Sequence, residues 1–227
     1  PTAVLSTPTG GFENFTYRDL TDDMLAVADH WTTTGAHFDA IYSGFLGSFR
    51  QVEIVSQIIE KLKSDDTLVI VDPVAADNGQ LYSIFDETFP AELKKLCSKA
   101  DIIVPNITEA VFLLGEEYRE GPYTKEYLQD ILVRLAELGP SRIILTGVST
   151  DDKSIGAACY DAETGMTDLV LEERIDGFFH GTGDVFASVL TGALLNDLSV
   201  ADSVRTAINF TVSGIKRTRD AGTDPRF

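Results

Sequence analysis

The stretch Thr67-Leu68-Val69-Ile70-Val71 constrains the fold of this chain more than any other. A strand with one wet face alternates apolar and polar side chains, whereas an unbroken aliphatic and β-branched run needs apolar cover on both faces. The same kind of run recurs at residues 38–42, 101–104 and 142–146. Between the runs lie segments of helical periodicity. Residues 50–63 set Val52, Val55, Ile58, Ile59 and Leu62 on one face. A helix is also expected from Thr21, where a cap and the acids Asp22 and Asp23 precede Met24, Leu25, Val27, Ala28 and Trp31. Others are expected at residues 87–98, 107–114, 124–138 and 200–217, and from about Asp184. Residues 155–160 and 167–171 flank the turn Ala162-Glu163-Thr164-Gly165 and read as a hairpin or edge strands. Strands alternating with helices predict an α/β fold, with three α/β/α layers around a mostly parallel central sheet.

In sheets of this kind ligands bind beyond the carboxyl ends of the strands. Ser43, Asp72, Asp77, Asn106, Glu109, Thr146 and Asp184 all fall at such ends. With 227 residues, 44% of them hydrophobic, and no linker-like tract, the chain is expected to form one domain over 1–227. No apolar run approaches the ~20 residues of a membrane helix. A net charge of −18 argues against nucleic acid or an anionic membrane surface as a partner. Any anionic substrate would then need local N–H donors and a metal ion. Cys97 and Cys159 have no metal or redox spacing, which suits free thiols in a reducing cytosol. His30, His37 and His180 form no ligand pattern.

Three stretches can carry chemistry. In Gly181-Thr182-Gly183-Asp184, glycines permit backbone shapes that point successive N–H groups at one spot. A helix starting there adds its dipole to an anion hole, with a carboxylate at the mouth. The stretch reads equally as a glycine turn before an acidic first helical turn, where Asp184 contributes only ~0.3–1 kcal/mol. Asp72-Pro73-Val74-Ala75-Ala76-Asp77-Asn78-Gly79 puts two carboxylates on one loop, as a magnesium and phosphate site requires. It also reads as a strand terminator followed by a turn. Asn106-Ile107-Thr108-Glu109 has the spacing of a capping box. A helix start at a strand end faces the same crevice, so capping and ordering of metal-bound water are compatible there. The P-loop string, the protein-kinase strings and the Gly-x-Ser-x-Gly elbow are absent.

Together, Asp72-Pro73-Val74, Asp77-Asn78-Gly79 with Tyr82, the run Ala100-Asp101-Ile102-Ile103-Val104-Pro105-Asn106 followed by Thr108-Glu109-Ala110, and Gly181-Thr182-Gly183-Asp184-Val185-Phe186 resemble the pyridoxal kinases of the ribokinase-like superfamily. The resemblance runs along nearly the whole chain. It implies transfer of the γ-phosphoryl group of ATP to the 5′-hydroxymethyl of pyridoxal, pyridoxine or pyridoxamine, by a cytoplasmic homodimer. Asp184 is then the catalytic base, and Gly181, Thr182 and Gly183 form the anion hole. Asp72, Asn106 and Glu109 organise Mg²⁺ and the phosphates, with Asp72 and Glu109 as the metal carboxylates; a monovalent cation is a further candidate. Thr146 is the implied nucleotide contact. Thr9, Phe45, Asp77 and Tyr82 surround the vitamin, with Asp77 on a flap. Val104 stands where many relatives have threonine, and Pro8 where many have histidine. The resemblance also implies that the family's first strand and last helix lie outside this sequence, which would leave a sheet edge exposed. The nearest alternative is a hydroxymethylpyrimidine kinase, relatives of which often carry cysteine where Asp184 stands. A sugar or nucleoside kinase and a non-catalytic pyridoxal- or nucleotide-binding protein complete the alternatives.

Overall fold

The computed structural model describes residues 2–7, 12, 14–177 and 179–222. A short antiparallel pair, β1 (Ala3–Leu5) and β2 (Tyr17–Asp19), leads into α1 (Thr21–Thr33). Then come β3 (Ala40–Ser43), α2 (Phe49–Leu62) and β4 (Leu68–Val71). A small hairpin, β5 (Ala76–Asp77) and β6 (Gln80–Leu81), precedes α3 (Phe89–Cys97), β7 (Ile102–Ile103), α4 (Ile107–Leu114) and α5 (Lys125–Ala136). The chain continues through β8 (Arg142–Val148), β9 (Ser154–Asp161), β10 (Met166–Glu173), α6 (Thr182–Leu194) and α7 (Val200–Ala221).

The six-stranded sheet has the order β10-β9-β8-β7-β4-β3. Strands β3, β4, β7 and β8 pair in parallel, and β9 and β10 extend the sheet antiparallel beyond β8. Successive residues of the apolar runs enter different cores. Val69, Val71, Ile103, Ile143 and Leu145 pack with helices α1 to α5, whereas Ile70, Ile102 and Ile144 pack with Phe186 and Leu190 of α6 and Val204 of α7. Covered faces on both sides account for the runs of β4, β7 and β8 and confirm the three-layer architecture. The run at 38–42, expected to be covered in the same way, is corrected to a half-exposed strand over Ala40–Ser43 with Tyr42 39% exposed, because no described strand lies beyond it.

Local chemistry sets the helix ends. Ser48 and Thr124 cap α2 and α5 by accepting from the N–H of Gln51 and Tyr127. At α1 the expected cap is corrected: Leu20 is the capping residue and Thr21 the first helical one. Asp19 Oδ1 takes the Thr21 N–H at 2.7 Å, so the acid before the turn does what Thr21 was expected to do. Helix α6 also starts earlier than expected, at Thr182 rather than Asp184. Strand β3 is an edge of the sheet among the described residues, and no described helix is long and apolar enough to cross a membrane.

Candidate active site

The ends of β4 and β7 place the acidic loop and the start of α4 side by side. Asp72 follows β4 directly; its N–H donates to Ser43 O at 2.8 Å, which ties it to the end of β3. At α4 the capping box is formed: Glu109 N–H donates to Asn106 Oδ1 at 2.9 Å and Asn106 N–H to Glu109 Oε2 at 2.8 Å. The pair reaches further than a cap needs to. Glu109 Oε1 accepts the Ala75 N–H at 3.0 Å, and Asn106 Nδ2 donates to Ala76 O at 2.7 Å. Two helix-start residues thus latch the loop that carries Asp72. The flap tip is held too, because Gly79 N–H donates to Thr108 Oγ1 at 3.1 Å. Gly79 has φ +76°, and a Cβ there would lie 2.5 Å from the Tyr118 ring. Only glycine fits.

On the opposite side of the sheet, α6 begins bare. Gly181 caps it in the left-handed region at φ 76°, and among the described residues no side chain bonds the first-turn N–H groups. The first intrahelical bond runs from Val185 N–H to Gly181 O at 3.0 Å. Among the described residues no hydrogen bond takes the N–H groups of Thr182, Gly183 and Asp184, the donors that an anion at a helix start would use. Of the two glycines, only Gly181 needs a special backbone. Gly183 is helical, with open space around its Cβ position, so its expected conformational role is replaced by one of leaving room. Asp184 is exposed on that first turn.

Electrostatics join the two halves. Removal from water and the charge of Asp184 push the Asp72 carboxyl up to about 7, against a hydrogen bond from Tyr42 that lowers it. Burial, with the charge of Asp72, pushes Glu109 up to about 8 despite its bonds to backbone N–H groups. Burial, followed by Glu109, Asp77 and Asp72, raises Tyr82 to about 12. Asp72 thus feels the charge of Asp184 and in turn acts on Glu109. Carboxyls that repel in this way supply oxygen donors suited to a hard cation. Among the described residues no cluster of three or more His, Cys, Asp or Glu side chains is arranged to hold a metal.

The remaining expected residues lie around this centre. Thr146 sits where β8 bulges before Gly147, its hydroxyl 3.4 Å from Pro105 O. It lies beside Asn106 through an isolated bridge. Asp77 and Asn106 line a cavity of about 480 Å³ beyond the ends of β7 and β8. Phe45 is exposed; with Tyr42, Ser43, Met24 and Trp31 it lines an apolar cavity of about 380 Å³. A third cavity, about 250 Å³, lies between the start of α6 and α7, against Phe179, Gly181, Thr182 and Thr211. Thr9 and Pro8 lie outside the described residues.

Two residues were not anticipated. Tyr42 donates its hydroxyl to Asp72 Oδ2 at 2.9 Å. Gln51, buried in α2, accepts from Gly47 N–H at 2.8 Å and donates to Thr21 Oγ1 at 2.9 Å and Thr2 O at 3.2 Å, tying the Phe45 loop to α1 and β1. Gln51 had a signal, an amide in the apolar period of α2. Tyr42 had none beyond its place at a strand end.

The profile of a family described as phosphomethylpyrimidine kinase matches residues 2–225. A Bacteroides thetaiotaomicron protein provisionally named a phosphomethylpyrimidine kinase is 38% identical, with a TM-score of 0.96 over 100% of this chain and 77% of that one. It was also crystallised with pyridoxal, in a form that matches at TM-score 0.90 over 96% of this chain and 76% of that one. The pyridoxal kinase of Lactobacillus plantarum is 32% identical, with a TM-score of 0.90 over 100% of this chain and 80% of that one. A Saccharomyces cerevisiae protein provisionally named a pyridoxal kinase is 31% identical over 88% of this chain and 66% of its own length. The chain spans 49–66% of the length of the first curated relatives it matches.

Proposed function

Because the chain belongs to the phosphomethylpyrimidine kinase family and has the ribokinase-like fold of the pyridoxal kinases, we propose that it phosphorylates the 5′-hydroxymethyl group of pyridoxal, pyridoxine or pyridoxamine with ATP. The observation that carries this reading is the uncapped start of α6, with Asp184 on its first turn and within electrostatic reach of Asp72. Phosphoryl transfer asks for alignment and charge stabilisation more than for covalent help. The N–H groups of residues 182–184 hold the transferring phosphoryl group, and Asp184 accepts the proton of the attacking hydroxyl. The cavity between α6 and α7 takes the nucleotide base, with Thr146 as a further nucleotide contact. Phe45, Tyr82 and Asp77 enclose the vitamin, an aromatic face covering its ring, and Thr9 belongs to the same set. Asp72 is the carboxylate that would hold Mg²⁺, with Glu109 and Asn106 behind it keeping the Asp72 loop in place. When bound, the cation neutralises phosphate charge that a chain of net charge −18 would otherwise repel. The same reading makes residues 1–227 part of one kinase domain in a cytoplasmic homodimer, with a monovalent cation as a further requirement to be titrated.

Hydroxymethylpyrimidine is the second acceptor to weigh, because the matching family profile carries the pyrimidine name. A coupled assay with Mg·ATP separates the two. Turnover of pyridoxal or another B6 vitamer is the expected result. Phosphorylation of the pyrimidine alone moves the assignment to that acceptor, and pyridoxal binding with no turnover of either moves it to a binding protein.

A further inference from the structure

We infer that Tyr42 is a positioning residue, whose hydroxyl orients the Asp72 carboxylate so that its other oxygen faces the cation of the crevice. The inference rests on the kinase reading for the identity of that cation and on geometry for the rest. Strand β3 grips Asp72 twice. Ser43 O takes its N–H at 2.8 Å, and the Tyr42 hydroxyl, from the preceding residue, donates to Oδ2 at 2.9 Å. The parallel register pairs Tyr42 with Ile70 and Ser43 with Val71, so Asp72 emerges one residue beyond the last pair with the tyrosine beside it.

Alternation along β3 explains how the ring gets there. Ile41 packs towards α1 and α2, and Tyr42 must therefore leave the sheet on the opposite face, the side from which α6 presents Asp184. The ring lies over Gly44, its Cε1 3.4 Å from where a Cβ of that residue would stand. Asp72 Oδ1 accepts no hydrogen bond among the described residues. The carboxylate thus has one oxygen held by a phenol and one free. A ligating carboxylate with a fixed outer partner has this form, because the partner removes the torsional freedom that would otherwise spread the ligand atom over many positions. Tyr42 does not build the core, being 39% exposed. Removal of its hydroxyl should therefore spare the fold.

The test is Tyr42→Phe, which keeps the ring and deletes the donor. Binding of Mn²⁺ alone to the protein is followed by loss of the paramagnetic signal of the free ion, a readout that needs no acceptor and no turnover. The expected outcome is ~10–100-fold weaker Mn²⁺ binding, with metal-free thermal stability within about 2 °C of wild type. In an Asp72→Asn background the same substitution should change Mn²⁺ binding less than about twofold, since its effect passes through the carboxylate. Mn²⁺ affinity unchanged by Tyr42→Phe, or a wild-type protein that binds no Mn²⁺, overturns the inference. Weaker Mn²⁺ binding in a protein that phosphorylates only the pyrimidine leaves Tyr42 in this role and removes the B6 assignment.

Discussion

Alanine at Gly183 should make the protein more stable and less active, two effects that a purely structural glycine would not combine. Gly183 is the second residue of α6, has helical backbone angles, and would place a Cβ with no heavy atom within 4 Å. Replacing a helical glycine in open space reduces the freedom of the unfolded chain and is worth up to ~0.5–1 kcal/mol. For a chain of this size that is a rise of roughly 1–4 °C in Tm. On the proposed reading the same methyl would crowd the phosphoryl group held by the N–H groups of residues 182–184. Losing a single preorganised donor to developing charge costs roughly 10²–10³ in kcat, and displacement of the whole group should cost at least as much. Gly192 is the internal control, because it lies in the same helix and its Cβ position is equally open. Gly192→Ala should gain similar stability and keep kcat. The assays are thermal melts of both variants without ligand and steady-state phosphorylation at saturating ATP. A Gly183→Ala protein with wild-type kcat would refute the assignment of the anion hole. One that melts lower than wild type would refute the helical, unobstructed geometry at that residue.

Asp184→Asn should lower kcat by ~10²–10⁴, the range for a positioned base, with ATP affinity nearly unchanged. Unchanged kcat would remove Asp184 from proton transfer. A second expectation concerns pH. Asp72 and Glu109 are pushed up to about 7 and about 8 in the folded chain, above the ordinary 3.8 and 4.5, because burial disfavours their charged forms, aided by the charge of Asp184 on Asp72 and of Asp72 on Glu109. The folded state therefore binds more protons than the unfolded one across that window. Their contribution to stability is full below the unfolded values and is lost as pH rises through about 7 to 8. Mg²⁺ should offset the loss, so melts with and without it should differ more at pH 8.5 than at pH 5.5. Equal shifts at both pH values would break the link between these carboxyls and the cation.

The unbroken run of residues 67–71 and its counterparts at 101–104 and 142–146 were enough to place the parallel core, whereas the run at 38–42 became a half-exposed edge strand. A strand covered on both faces has no alternative composition, and the cost of leaving such a run wet falls on every residue in it. The hairpin of β9 and β10 and the capping box at Asn106 and Glu109 were legible for the same reason: their partners lie a few residues away, so chain order itself carries the signal. β1 and β2 were harder. They are 3 residues each and largely exposed, too short for a period to develop. Thr21 looked like a cap because the residue type favours that place, yet the neighbouring Asp19 reached its N–H first.

The site divides along the same line. The glycine and aspartate strings marked candidate positions for phosphate chemistry, because anion holes and hard-cation sites favour those residue types. Tertiary structure decided what each side chain does there. Glu109 bonds Ala75, 34 residues away, and Tyr42 bonds Asp72, 30 residues away. Both contacts exist because β3, β4 and β7 lie side by side, and no periodicity along the chain encodes which strands become neighbours. Gly183 proved to be an ordinary helical glycine that leaves space, a role visible only once the surroundings of its missing Cβ were known. From residue types alone the chain declared its layers, and the resemblance carried by its motifs pointed to a kinase. The fold alone decided which carboxylate oxygens distant residues already hold, and so which one the proposed cation would have to use.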